Sequence, residues 1–123
     1  LATQKALGEL VLEQIRRLPE TLRIPLIDGR EILVAHASPA DPGVELTHDM
    51  SDDEVLAAVD DDPADLVVCG ASHVQFRRDV EEVTVVSTGS VGDAPSGFAH
   101  FVVMRPRMDG IEVHLDHVPF SRA

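Results

Sequence analysis

The sequence predicts a layered domain of the α/β or α+β class, and three observations support this prediction. Helical periodicity is confined to two segments, extended apolar runs fill most of the remaining chain, and one of those runs is short and non-alternating. A length of 123 residues fits a single domain over residues 1–123, and a hydrophobic fraction of 44% suffices for a buried core.

The first element is predicted to be an amphipathic helix from Ala2 to Leu18. Apolar residues recur in it at steps of three and four, namely Leu7, Leu10, Val11, Ile15 and Leu18. Pro19 ends this helix, because the residue before a proline is pushed out of the helical region.

A β-hairpin is predicted next. The segments Thr21 to Ile27 and Glu31 to His36 are extended apolar runs, and the Asp28-Gly29 pair between them supplies a tight turn. Residues 37–49 carry two prolines, one glycine and three acidic side chains, so they predict a loop.

A second, short helix is predicted to follow Ser51. The Ser51 hydroxyl and Glu54 three residues later have the spacing of a capping box, and Val55, Leu56 and Val59 supply an apolar face. The acidic run Asp60-Asp61-Asp62 and Pro63 end this helix, because negative charges are unfavourable at a helix C-terminus.

The rest of the chain is predicted to be mostly strand. Leu66–Cys69 is apolar without alternation, which is typical of a strand buried on both faces. Three more strands are predicted over Val80–Ser87, Gly97–Arg105 and Ile111–Val118, separated by turns at residues 89–97 and 106–110.

The charge of the chain excludes some partners. With 22 acidic against 10 basic side chains the net charge is -12, so we expect no nucleic-acid partner. No apolar stretch approaches the roughly 20 residues that span a bilayer, so we expect no membrane partner. The single cysteine, Cys69, cannot form an internal disulfide and reads as a core residue, so we expect a cytoplasmic location.

Two histidines stand where predicted strands end and loops begin. His36 ends the second hairpin strand, and His73 follows the buried strand by a few residues. Imidazole is a common transition-metal ligand, so the pair could share a metal site. On spacing alone this signal is weak, and two structural histidines that donate to backbone carbonyls are the simpler interpretation.

Two other features carry weaker signals. Thr88–Gly92 is rich in glycine, so its N–H groups could hold an anion, although a turn needs glycines for its own dihedral angles. His114 and His117 are three residues apart on one predicted strand, so they point to opposite faces and cannot share a metal.

Taken in order, five segments of the chain resemble the C-terminal half of calcineurin-like metallophosphoesterases of the small bacterial and archaeal phosphodiesterase type. In that family the corresponding stretches read roughly L-P-E-T, V-H-G-S-P, G-H-T-H, N-P-G-S-V-G and V-P-Y. The matching segments here are residues 18–24, 32–42, 65–76, 83–93 and 111–120. The resemblance covers nearly the whole chain.

The resemblance implies a fold and a chemistry. The fold is a four-layer α/β/β/α sandwich with two divalent metal ions at the strand ends; manganese is expected, with iron, zinc or nickel as alternatives. The activity is hydrolysis of a phosphomonoester or phosphodiester bond in a small substrate by a metal-bound hydroxide. His36 matches a ligand of the second metal, His73 matches a ligand of the first, and Gly89 and Ser90 match residues that support the turn below the site.

The departures from the family pattern support an alternative to the phosphoesterase function. Ala71 stands where the family has a metal-binding histidine, Ala37 replaces a glycine, and Ser87-Thr88 replaces asparagine-proline. The chain then reads as a degenerate, catalytically silent member that serves as a ligand-binding or protein-interaction module.

The family motifs that carry the catalytic residues belong to an N-terminal half, which is expected to precede Leu1. This chain therefore supplies no catalytic residue, and alone it is expected to be inactive. The sheet edge that half a sandwich exposes favours association, including a homo-oligomer.

Overall fold

The computed structural model describes residues 2–59, 64–92 and 97–120, and it shows a mixed α/β architecture around one central sheet. The sheet has five strands in the order β1-β2-β3-β5-β4. A separate two-stranded ribbon, β6-β7, completes the β structure. In sequence order the elements are α1 (Ala2–Leu7), α2 (Glu9–Arg16), β1 (Thr21–Pro25), β2 (Glu31–Ala35), α3 (Asp52–Ala58), β3 (Leu66–Cys69), β4 (Gln75–Val80), β5 (Val83–Thr88), β6 (Phe98–Arg107) and β7 (Gly110–Pro119).

The N-terminal helix differs from its prediction. The expected single helix from Ala2 to Leu18 is two helices, because Gly8 adopts φ 80° and ψ 165° and interrupts the helical backbone. Neither α1 nor α2 has a buried residue, and Leu10 is 76% exposed. The apolar stripe is therefore present in the sequence, but no described residue covers it.

The predicted hairpin is confirmed. β1 pairs antiparallel with β2 in a register that sets Leu22 opposite Val34. Gly29 lies in the turn with φ 90°, a conformation that favours glycine, and its N–H donates to the Leu26 carbonyl.

The loop and the second helix also follow the prediction. Residues 37–49 contain neither helix nor strand. The Ser51 hydroxyl accepts from the Glu54 N–H while the Glu54 carboxylate accepts from the Ser51 N–H, so both halves of the capping box form. The predicted helix stop at Asp60–Pro63 lies outside the described residues.

The central sheet separates two apolar layers. Alternate residues of β2, β3 and β5 point to opposite faces, so one face carries Leu33, Val67 and Val85 and the other carries Ile32, Val68 and Val86. Helix α3 covers the first face through Val55, Ala58 and Val59. The ribbon covers the second face through Val102, Met104, Ile111 and Val113. The prediction that Leu66–Cys69 is buried on both faces is confirmed.

The strand expected over Val80–Ser87 is wrong in its bounds. Two antiparallel strands, β4 and β5, meet at a turn where Glu81 adopts φ 53°. β4 escaped prediction because it is a half-buried edge strand that carries Arg77, Arg78 and Asp79.

The last two strands are present but longer than expected. They run to Arg107 and from Gly110, so only Met108 and Asp109 remain between them. Pro106 lies inside β6, where a two-stranded ribbon tolerates it because each strand has one unpaired edge. None of the described helices is long and apolar enough to cross a membrane.

Candidate metal centre

Three parallel strands end at one edge of the sheet, which we call the carboxyl edge. β3 pairs in parallel with β2 on one side and with β5 on the other. The residues that follow these strands are His36 after β2, Gly70 after β3, and Gly89 after β5. Chain topology thus brings all the predicted site segments to the same edge.

Backbone hydrogen bonds join the segments that carry the two predicted ligands. The carbonyl oxygen of His36 accepts from the N–H groups of Gly70 at 3.1 Å and Ala71 at 2.9 Å. The His73 N–H donates to the Gly70 carbonyl at 3.2 Å, which closes a tight turn on the same segment. The main chain of His36 therefore contacts the turn that carries His73, independently of either imidazole.

His73 has an unusual backbone conformation. Its φ of 60° lies in the left-handed region, which is uncommon for residues other than glycine. The side chains of both His36 and His73 are exposed. Both histidines are therefore exposed to solvent, and the loops that carry them are joined by the backbone hydrogen bonds to the His36 carbonyl.

The glycines of the carboxyl edge allow close approach of neighbouring segments. A Cβ atom on Gly70 would lie 3.2 Å from the Thr88 hydroxyl oxygen. Gly89 adopts φ 81°, and a Cβ atom there would lie 2.7 Å from the His100 Cβ and 3.0 Å from the Gln75 Cβ. Gly89 is thus a point of close approach between the sheet and the ribbon.

Ser90 belongs to the same junction. It is 8% exposed, and its carbonyl oxygen accepts from the His100 N–H at 3.0 Å. The structure places Gly89 and Ser90 between β5 and β6, where they hold the ribbon against the sheet. The turn-support role that the family resemblance implies for them stays a prediction.

The donors at the carboxyl edge fit a metal centre only in part. Within residues 2–59, 64–92 and 97–120, no group of three or more His, Cys, Asp or Glu side chains could hold a metal ion. Ala71 offers only a methyl group, which cannot bind a metal. Asp41 lies in the loop after His36, and its carboxylate accepts a hydrogen bond from the Gly43 N–H at 2.9 Å. Two imidazoles are fewer than the three or more protein ligands of a usual zinc site.

The other polar candidates behave as structural or surface residues. Cys69 is 4% exposed, and burial raises the pKa of its thiol to about 11, so it stays protonated and unreactive at neutral pH. His48 is an exposed loop residue beside Phe76. His114 bonds Glu112 and His117 contacts Phe98, so the two point to opposite faces as predicted.

Sequence reasoning gave no role to His100, which the structure makes conspicuous. Its Nδ1 atom is buried without a hydrogen-bond partner, and its ring contacts that of His117. Only the strand register, which the sequence does not reveal, brings these two histidines together.

A cavity of about 60 Å³ opens beside His36, between the end of β2 and the start of β1. Another, of about 510 Å³, lies at the opposite end of the sheet between the β1–β2 and β6–β7 turns. The larger cavity is lined mainly by apolar atoms and contains neither His36 nor His73. It is therefore separate from the carboxyl edge.

Comparison with known proteins identifies relatives of this fold. The family model described as the calcineurin-like phosphoesterase superfamily domain matches residues 8–108. No curated protein sequence matches the chain. The crystal structure of hypothetical protein PH1004 from Pyrococcus horikoshii OT3 matches with a TM-score of 0.76 and 21% identity. That match covers 96% of this chain but 47% of the archaeal one, so this chain spans about half its length.

Two structures of Vps29 from Entamoeba histolytica are similar at a lower level. A single mutant matches with a TM-score of 0.52 and 20% identity, covering 86% of this chain and 63% of that chain. The wild-type protein complexed with Zn²⁺ matches with a TM-score of 0.53 and 18% identity, covering 83% and 61%. At these identities the similarity establishes the fold alone.

Proposed function

Because this chain belongs to the calcineurin-like phosphoesterase superfamily, we propose that it is the C-terminal part of a metal-dependent phosphoesterase. The substrate is a small phosphomonoester or phosphodiester. The observation that carries the proposal is the convergence of the His36 and His73 segments at the carboxyl edge, through the shared His36 carbonyl. The match to about half of the archaeal structure supports the view that further residues complete the domain.

Within this proposal His36 and His73 are metal ligands. His36 would hold the second of two metal ions and His73 the first, while the remaining ligands come from outside the described residues. A bound divalent metal would neutralise the charge of the substrate phosphate and activate a water molecule. Manganese is our first candidate, and the zinc complex of the related Vps29 supports zinc as an alternative.

The electrostatics of the chain favour a metal-assisted site. With a net charge of -12, the protein repels an anionic phosphoester unless bound cations offset that charge. The two exposed imidazoles are neutral ligands and do not add to the negative charge. We therefore propose small phosphoesters as substrates and neither nucleic acids nor membranes as partners. Cytoplasm is the proposed location, because the single cysteine is buried and free.

Substitution of the two histidines tests the proposal in the complete protein that contains this chain. We expect His36→Ala and His73→Ala each to lower bound metal per chain and to reduce manganese-supported hydrolysis of an aryl phosphate by more than about 100-fold, since even second-shell changes cost about 10–100-fold. Elemental analysis gives the metal content, and release of the phenolate gives the rate. His48→Ala serves as the control, because His48 is an exposed loop histidine beside Phe76.

The proposal fails if the unmodified protein hydrolyses phosphomonoesters and phosphodiesters with metal, and both histidine variants retain that rate. It also fails if the control loses as much activity as they do. For His36→Ala, loss of activity with no change in melting temperature is the expected pattern, because that side chain is exposed.

A second candidate function rests on Ala71. A methyl group cannot bind a metal, and the described residues contain no group of three donors, so the protein could instead be a silent ligand-binding or protein-interaction module. In the complete protein we expect Ala71→His to raise bound divalent metal per chain, because the Ala71 N–H already bonds the His36 carbonyl at 2.9 Å. An unchanged metal content would mean that another residue already supplies this ligand, which would remove the support for a silent module.

A further inference from the structure

The ribbon carries a second pair of histidines, on the face that it turns toward the sheet. In β6, Val102 and Met104 pack into the core on this face, and His100 shares it because residues two apart point the same way. In β7, Val113 packs into the same core, so His117 four residues later points the same way. The register sets His100 directly opposite His117.

The two rings lie within the reach of one metal ion. Their centroids are 6.3 Å apart, and the planes make an angle of 63°. Directly opposed residues on antiparallel strands have Cβ atoms about 4.5–5.5 Å apart, so side-chain rotation alone can adjust the separation of the rings. A metal about 2.1 Å from each nitrogen lies about 3.2 Å from each ring centroid, so the present separation suits two nitrogens on nearly opposite sides of one ion, as in a square-planar Cu²⁺ or Ni²⁺ site.

The two imidazoles have different surroundings. The edge of Phe98 contacts the His117 ring at a centroid distance of 4.8 Å and an angle of 76°. The Nδ1 atom of His100 is buried and has no hydrogen-bond partner. An unpartnered buried nitrogen is unfavourable, and a cation that draws this ring into coordination would offset that cost.

We propose that His100 and His117 form a cross-strand binding site for one divalent transition-metal ion of the Cu²⁺ or Ni²⁺ class. Imidazole is a preferred ligand for these ions, and a net charge of -12 favours cation binding. Water completes the coordination, since no third donor joins the pair within the described ranges. The site uses neither His36 nor His73, and it does not depend on the proposed phosphoesterase function.

Metal titration of the untagged protein tests this site. A background of His36→Ala with His73→Ala removes the imidazoles of the carboxyl edge, so failure of the proposed function cannot affect the result. In this background we expect one Cu²⁺ per chain, with an electron paramagnetic resonance spectrum that shows two coupled imidazole nitrogens. His100→Ala or His117→Ala is expected to weaken Cu²⁺ and Ni²⁺ binding at least about tenfold and to leave one coupled nitrogen.

His114→Ala is the matched control, because His114 lies on the same strand but bonds Glu112 on the opposite face. A second measurement covers the case in which His100→Ala disturbs folding. Added Ni²⁺ should raise the melting temperature of the background protein and leave that of its His117→Ala variant unchanged, because ligand binding stabilises the folded state. The proposal is overturned if the background binds no Cu²⁺, if both substitutions at positions 100 and 117 leave the affinity unchanged, or if His114→Ala weakens binding equally.

Discussion

Gly89→Ala is expected to lower the free energy of unfolding by about 2–5 kcal/mol. Two causes act together at this position. The φ of 81° disfavours any residue with a Cβ atom, and the added methyl would lie 2.7 Å from the His100 Cβ and 3.0 Å from the Gln75 Cβ. Neither neighbour can retreat freely, because the His100 N–H is bonded to Ser90 and Gln75 bonds two ribbon carbonyls through its side chain. Equilibrium unfolding in urea measures the change.

Gly97→Ala separates these two causes. Gly97 has a similar φ of 76°, but among the described residues no atom beyond its chain neighbours lies within 4 Å of the position its Cβ would take. We expect this control to lose only the conformational share, about 1–2 kcal/mol. Equal losses of unfolding free energy for the two variants would show that the close approach of Gly89 to the ribbon does not contribute to the cost of the substitution.

Leu33→Ala is expected to cost about 2–5 kcal/mol. Leu33 is 1% exposed and lies in the middle of β2, within the apolar layer that α3 covers. Truncation removes buried methyl groups and leaves a cavity that this central strand cannot collapse to fill, because β1 and β3 hold it on both sides. Thermal and urea unfolding should agree on the sign and size of the loss.

Leu10→Ala is the matched control for the core substitution. Leu10 is 76% exposed on α2, so the same change of side chain is expected to alter stability by less than about 0.5 kcal/mol. A loss comparable to that of Leu33→Ala would mean that the stripe on α2 is covered in solution.

Elements whose patterns reflect burial were predictable from the sequence. β3 was found because it is apolar on both faces, and α3 because Ser51 and Glu54 mark its start. β4 was not, because an edge strand can carry charges such as Arg77 and Asp79 without cost. The break at Gly8 was also missed, because one glycine hardly alters a pattern of apolar spacings.

The carboxyl edge was only partly predictable. His36 and His73 could be identified as residues at strand ends, but their common location depends on β2 and β3 being parallel neighbours. The pairing of His100 with His117 could not be predicted, because it depends on a ten-residue register that periodicity does not define.

At the carboxyl edge, the two hydrogen bonds to the His36 carbonyl join the loops through atoms that do not belong to the imidazoles proposed as metal ligands. Because main-chain atoms make both of these bonds, side chains at positions 36 and 71 can be exchanged without removing either bond. Such a frame tolerates gain or loss of ligands one residue at a time.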